Sequence, residues 1–218
     1  MKKYKINLLI AAVFLIILLY ACADGDEQIE SGGIPPDLLA QPEIRDVSGE
    51  LIITFDYEKI PGIASNQFAV WIEDSSGDYI RTLYATRWTA NGGYKTRPDS
   101  IALWVAKSNL ASMQQSEVDA IAGATPASGS LSYSWDLTGA NGITVSPGEY
   151  KFFVEGTLRW KNHVIYAGVI NIGDSPATAE AAANFIYEAS DTQAALENDS
   201  PENAMISMVT ASFIPAVN

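Results

Sequence analysis

The chain is poor in the residues most often recruited for chemistry, with one cysteine and one histidine. A single cysteine excludes an internal disulfide, so stability must come from burial alone. The lone histidine, His163, excludes a two-histidine metal site, and without a free thiol the ordinary zinc and copper sites are excluded as well. As the base of a serine or cysteine hydrolase His163 would have no recognisable nucleophile elbow to serve, which makes the residue a surface or turn position. Cations are scarce too: 13 Lys and Arg stand against 26 Asp and Glu for a net charge of −13, and no Lys or Arg follows Lys161. A surface this acidic repels phosphate backbones and excludes nucleic acid as a partner. No solenoid or propeller repeat is visible.

What is present begins at the N-terminus. Lys2, Lys3 and Lys5 precede an apolar run over residues 6–19, which ends at Leu19-Tyr20-Ala21-Cys22. This is the layout of a secretory signal, and the run is short for a stable membrane span. Leu19 and Ala21 suit the −3 and −1 positions of a lipobox, while Tyr20 departs from it at −2. Residues 1–21 are therefore expected to be a lipoprotein signal peptide, with Cys22 the lipidation site. Diacyl-plus-acyl attachment supplies more than one chain, enough for stable anchoring. Residues 22–48 read as a flexible acidic tether, from Asp24, Asp26, Glu27 and Glu30 through Ser31-Gly32-Gly33 to Pro35-Pro36. The acidic cluster behind the cysteine resembles the export tag of surface lipoproteins, and a solvated linker accounts for it equally well. The expected location is the outer membrane, facing the periplasm or the exterior.

The body of the 218-residue chain has room for one sizeable domain. From about Gly49 the apolar residues recur with a period of two. Leu51, Ile53, Phe55 and Tyr57 share one face, and Phe68, Val70 and Ile72 repeat the pattern before the turn Asp74-Ser75-Ser76-Gly77. That turn lacks the ligand series of a calcium loop. Further strands are expected over residues 79–84, 131–137, 150–155, 164–172, 184–188 and 205–213. About eight short strands with Gly, Pro and Asn turns predict an all-β fold, an Ig-like antiparallel β-sandwich. Residues 49–173 form the expected sandwich domain, and 174–218 an acidic extension adding one or two strands. The alanine-rich stretch 174–183 suits a short helix or a linker, and 189–203 a loop.

A long crossover joins Tyr84 to Leu131. Within it Pro98-Asp99-Ser100 precedes Ile101, Trp104, Val105 and Leu110, the pattern of a short capped helix. Its aromatics Trp88, Tyr94 and Trp104, with Tyr84 at the edge, argue for an ordered lid over one open end of the sandwich. Near its end stands Val118-Asp119-Ala120-Ile121-Ala122-Gly123-Ala124-Thr125-Pro126, where a threonine follows a Gly-Ala pair with an aspartate six positions upstream.

Phe68-Ala69-Val70-Trp71-Ile72-Glu73-Asp74 with Gly77, Thr82-Leu83, Arg97-Pro98, Trp104, Asp119 through Thr125, Trp135-Asp136-Leu137 and Pro147-Gly148-Glu149-Tyr150 with Glu155 together resemble the predicted periplasmic proteins of domain of unknown function 2271, over residues 52–173. Residues 135–155 also resemble the Ig-like module of flagellar hook-capping proteins, with Asp136 starting a hairpin through Asn141-Gly142 and Tyr150, Phe152 and Val154 returning on the inward face. The family resemblance implies an envelope setting beside flavin transferases and other redox components. Asp119-x-x-x-Gly123-Ala124-Thr125 resembles the acceptor motif of such transferases, in which the threonine takes FMN through a phosphodiester. It departs from that motif at Ala122, where Ser or Thr is usual, and in the stiff Pro126. On this resemblance Gly123 and Ala124 keep the approach to Thr125 open, Asp119 helps hold Mg²⁺ at the FAD diphosphate, and Trp88, Trp104 or Tyr133 offers a shelf for the isoalloxazine. The alternative for Asp119 to Gly129 is a plain turn between helix and strand.

The expected function is thus non-enzymatic: a lipid-anchored carrier of covalent FMN in envelope electron transfer, working with an FMN transferase and envelope redox proteins. The alternative is a structural or interaction sandwich that binds another envelope protein or a glycan through strand edges and aromatic loops. Nothing in the spacing recommends a carboxylate-pair hydrolase.

Overall fold

The computed structural model describes residues 47–61, 66–159, 161–187 and 205–217. The expected leader, Cys22, nearly all of the tether and the acidic stretch 189–203 lie outside the described residues. The strands are β1 (Gly49–Tyr57), β2 (Phe68–Asp74), β3 (Tyr79–Thr86), β4 (Ala122–Gly123), β5 (Gly129–Trp135), β6 (Gly148–Thr157), β7 (His163–Ile172), β8 (Ala177–Glu180), β9 (Ala182–Ile186) and β10 (Ile206–Pro215). They build the all-β sandwich that the alternation predicts. A four-stranded sheet in the order β5-β1-β10-β8 packs on a six-stranded sheet in the order β4-β3-β2-β6-β7-β9. Every pairing is antiparallel except β3 with β4.

Alternation explains the core. Leu51, Ile53, Phe55 and Tyr57 of β1 meet Phe68, Val70 and Ile72 of β2 and Phe152 and Val154 of β6 in one buried cluster. The extension reaches further into the fold than an added edge. β10 is an interior strand, paired with β1 from Gly49↔Pro215 to Tyr57↔Ile206. The alanine-rich stretch forms β8 on its flank, neither helix nor linker. The expected hairpin after Trp135 is an arch, because β5 pairs with β1 in one sheet and β6 with β2 and β7 in the other. Only a single bridge, Thr138↔Thr144, closes the small loop around Asn141-Gly142.

The crossover differs most from expectation. It holds three α-helices, α1 (Arg87–Ala90), α2 (Ala102–Lys107) and α3 (Gln115–Ile121), with two 3₁₀ turns between them. It does not cap an open end but covers the outer face of the six-stranded sheet. A second buried cluster unites Ala69 and Trp71 of β2 and Ala85 of β3 with Ala90, Ile101, Trp104, Leu110 and Val118 of the crossover. Trp71 stacks on Phe153 with ring centroids 4.9 Å apart, under this layer. β2 is consequently buried on both faces from Phe68 to Glu73.

Two carboxylates of the sheet clamp α2 at its ends. Glu155 accepts the backbone N–H of Leu103 at 3.2 Å and of Trp104 at 2.8 Å. The Ser100 hydroxyl just before the helix is paired instead with that of Thr89 at 2.8 Å. At the other end Lys107 Nζ donates to Glu73 Oε2 at 2.9 Å, while Glu73 Oε1 accepts the indole N–H of Trp71 at 2.9 Å. Burial pushes the Glu155 pKa up to about 7, against the downward pull of its two amide donors. The folded carboxyl thus keeps its proton where an unfolded one, near 4.5, has released it. The stability this contributes is full below the lower value and is lost as pH rises through the upper one. Glu155→Gln should flatten that decline, by about 1.4 kcal/mol per pH unit removed, in denaturant titrations on either side of the window. A variant whose pH dependence matches the parent's would refute this placement of the titrating group.

Candidate functional site

The Asp119–Thr125 motif is divided among three kinds of structure. α3 opens with a capping box in which Glu117 Oε2 accepts the Gln114 N–H at 2.6 Å, and it buries Val118 against the outer face of the sheet. Asp119 follows Val118 and therefore faces solvent. Its Oδ1 accepts the Gln115 side-chain amide at 2.9 Å, and that amide also reaches Asn91 Oδ1 at 3.2 Å. This relay ties α3 to the end of α1. Ala122 and Gly123 then form β4, which runs parallel to the end of β3 with Ala85↔Ala122 and Thr86↔Gly123 in register.

Gly123 has a packing role that the sequence alone did not disclose. A Cβ at this position would overlap the ring of Tyr84. The same ring lies 5.0 Å from Phe68 and 4.8 Å from Tyr133, so Gly123 closes over an aromatic stack that continues into the core. The Tyr84 hydroxyl donates to the Ala124 carbonyl at 2.6 Å. Burial raises the pKa of Tyr84, with Arg87 opposing. Burial also raises that of Tyr133, and Tyr84 and Tyr57 add to the rise. Both phenols therefore stay protonated at neutral pH, and the Tyr84 donor is permanent.

Beyond β4 the chain crosses from the edge of one sheet to β5 at the edge of the other. This link is held at both ends. Ala124 hangs on Tyr84, and the Ser128 hydroxyl accepts the Lys59 N–H at 3.1 Å. Between those ties Ala124 is exposed and Thr125 half-exposed, and the Thr125 hydroxyl has no hydrogen-bond partner among the described residues. Ala124 is exposed beside Thr125, whereas Gly123, expected to keep the approach open, lies against Tyr84.

The three aromatics expected as a shelf separate clearly. Trp104 is fully buried and donates its indole N–H to the Thr82 hydroxyl at 2.8 Å, so it offers no platform. Tyr133 is half-buried within the aromatic stack. Trp88 is 47% exposed. Sequence reasoning counted Tyr84 only among the aromatics of the lid, without its contacts to Gly123 and Ala124, and passed over Arg87. The available signal was a tyrosine and a cation closing β3 in a chain so short of cations. Among the described residues no group of three or more His, Cys, Asp and Glu is placed to hold a metal.

The packing ranks two substitutions. Gly123→Val must displace the Tyr84 ring and should cost about 1–3 kcal/mol, as overpacking does. Tyr84→Phe loses one partly solvated hydrogen bond and should cost about 1 kcal/mol or less. Urea denaturation checks the order; a Gly123 variant as stable as the parent would contradict the packing.

The family model for predicted periplasmic proteins of domain of unknown function 2271 matches residues 53–188, from within β1 to just past β9. No curated protein and no solved structure matches the chain. The matched span takes in the sandwich strands β2 to β9, the helical layer and the whole Asp119–Thr125 motif. The chain belongs to the family of predicted periplasmic proteins grouped as domain of unknown function 2271.

Proposed function

We propose that the protein is a lipid-anchored, non-enzymatic carrier of covalent FMN in extracytoplasmic electron transfer, with Thr125 as the acceptor and Cys22 as the anchor. The observation that carries this reading is the setting of Thr125: an unpartnered hydroxyl on a surface link tied down at Ala124 and Ser128. An acceptor must enter a second protein's active site without unfolding its own, and a link fixed at both ends with a small residue before the threonine meets that need. The residues present fit the group. Thr125 offers the nucleophile, Ala124 leaves room, and Asp119 stands on the solvent face of the preceding helix, where an incoming Mg²⁺–diphosphate meets it.

The transfer balances with FAD as donor. Thr125 Oγ attacks the phosphorus of the FMN half, the bond from that phosphorus to the bridging oxygen breaks, and AMP leaves with that oxygen. The hydroxyl proton passes to a base of the transferase, so this chain needs none. Once attached, the flavin supplies the electron chemistry, while the protein supplies position and environment. Periplasmic membership of the family agrees with such a partner. Anchoring through Cys22 holds the carrier at the outer membrane, and its acidic surface keeps it off anionic lipid.

Co-expression with an FMN transferase tests the proposal. The expected product is yellow, gains the mass of one FMN less one water, and shows in-gel fluorescence that survives denaturation. All three are expected to vanish in Thr125→Ala. An unmodified intact mass with active transferase present would reject the carrier and leave a sandwich that binds an envelope protein or glycan.

A further inference from the structure

The parallel pairing of β3 with β4 fixes where Thr125 leaves the sheet. Thr86 stands beside Gly123, so the next residues along the two chains are Arg87-Trp88 and Ala124-Thr125. Arg87 and Trp88 open α1, and α1 lies against β4. Both side chains point to solvent, because the buried residues of α1 are Thr89 and Ala90. The Trp88 ring packs against Gly93, where a Cβ would collide with it, and the residue stays largely exposed. Arg87 makes no ion pair among the described residues, and its charge is felt at the Tyr84 hydroxyl, which holds the Ala124 carbonyl. An unpaired guanidinium and a braced, exposed indole thus stand near the end of β4, two residues before Thr125.

We infer that Arg87 and Trp88 form the seat of the attached flavin, the guanidinium holding the phosphodiester on Thr125 and the indole stacking on the isoalloxazine. The inference rests on the reading of Thr125 as the FMN acceptor. A guanidinium meets two phosphate oxygens with parallel N–H donors, and an anionic diester in so acidic a protein needs a cation at its side. Stacking on an exposed ring orders the flavin without burying it, which keeps it open to a redox partner. Also near the motif is a cleft of about 220 Å³ lined by Tyr79, Arg81, Thr82 and Ile121, which shares the last three with a neighbouring opening. It lies toward the start of β3, whereas β4 directs Thr125 toward the end of that strand. Its arginine is already bound to Asp136 and Thr138.

The full chain, flavinylated by transferase and FAD, carries the test, with intact mass reporting the adduct and flavin emission reporting the seat. Emission of the parent should be strongly quenched by the indole. In Trp88→Leu it should rise several-fold at unchanged adduct mass, with near-ultraviolet circular dichroism confirming the fold. Arg87→Gln should lower flavin fluorescence anisotropy and abolish the dependence of that anisotropy on salt, since screening acts on the ion pair. An adduct whose emission is the same in the parent and Trp88→Leu would overturn this seat while leaving Thr125 as acceptor. A rise in emission in Arg81→Gln alone would do the same, by placing the ring in the cleft. Absence of any adduct would remove both readings together.

Discussion

The structure turns on the two-sided burial of its six-stranded sheet. β2 and β6 carry large apolar groups on both faces, so a sandwich alone would leave Trp71 and Phe153 in water. Covering them recruits the crossover as a third layer. Once that layer is required, its details follow. Trp104 and Leu110 fill the space over the stack, Glu155 receives the amides at the start of α2, and Glu73 holds Lys107 at its end. The two buried carboxylates are tolerable because each is met by donors from the layer above it. The same layer carries α3 to the edge of the sheet, where Ala122 and Gly123 find β3. Thr125 is thus placed by hydrophobic coverage some distance away.

That dependence joins the structural and the functional explanations of the Gly-Ala-Thr run. Gly123 is needed for packing whether or not a flavin is ever attached, since Tyr84 occupies the space of a side chain. Thr125 is different, for its hydroxyl has no hydrogen-bond partner among the described residues. A turn built only to connect helix and strand would satisfy the first requirement and give no reason for the second. Under the proposed carrier function, the aromatic stack behind Gly123 is what would hold Thr125 steady.

Much of the fold was legible because most strands alternate. β1 and β7 are buried on one face only, and their period of two reads directly from Leu51 to Tyr57 and from Val164 to Ile172. β2 was legible as a strand but not as a doubly covered one. Phe68-Ala69-Val70-Trp71-Ile72 is a continuous apolar run, the mark of a strand buried on both faces, and attention to alternate residues hid it. β4, two residues long, has no periodicity to detect, and alanine-rich β8 is shaped by its neighbour β10 rather than by propensity. The cap of α2 comes from Glu155, 52 positions beyond Leu103, which no local signal encodes. For the site, the connection from helix to strand over residues 119–129 was readable, while the role of Tyr84 depended on a contact across 40 positions.

The central claim is that the crossover is a packed layer of the fold rather than a surface loop, and native-state hydrogen exchange addresses it residue by residue. The amides of Leu103 and Trp104, bound to a buried carboxylate, are predicted to exchange as slowly as those of β2, through global unfolding. Exchange at the rate of an open loop, with β2 still protected, would show the layer to be loose and would leave Thr125 without its support.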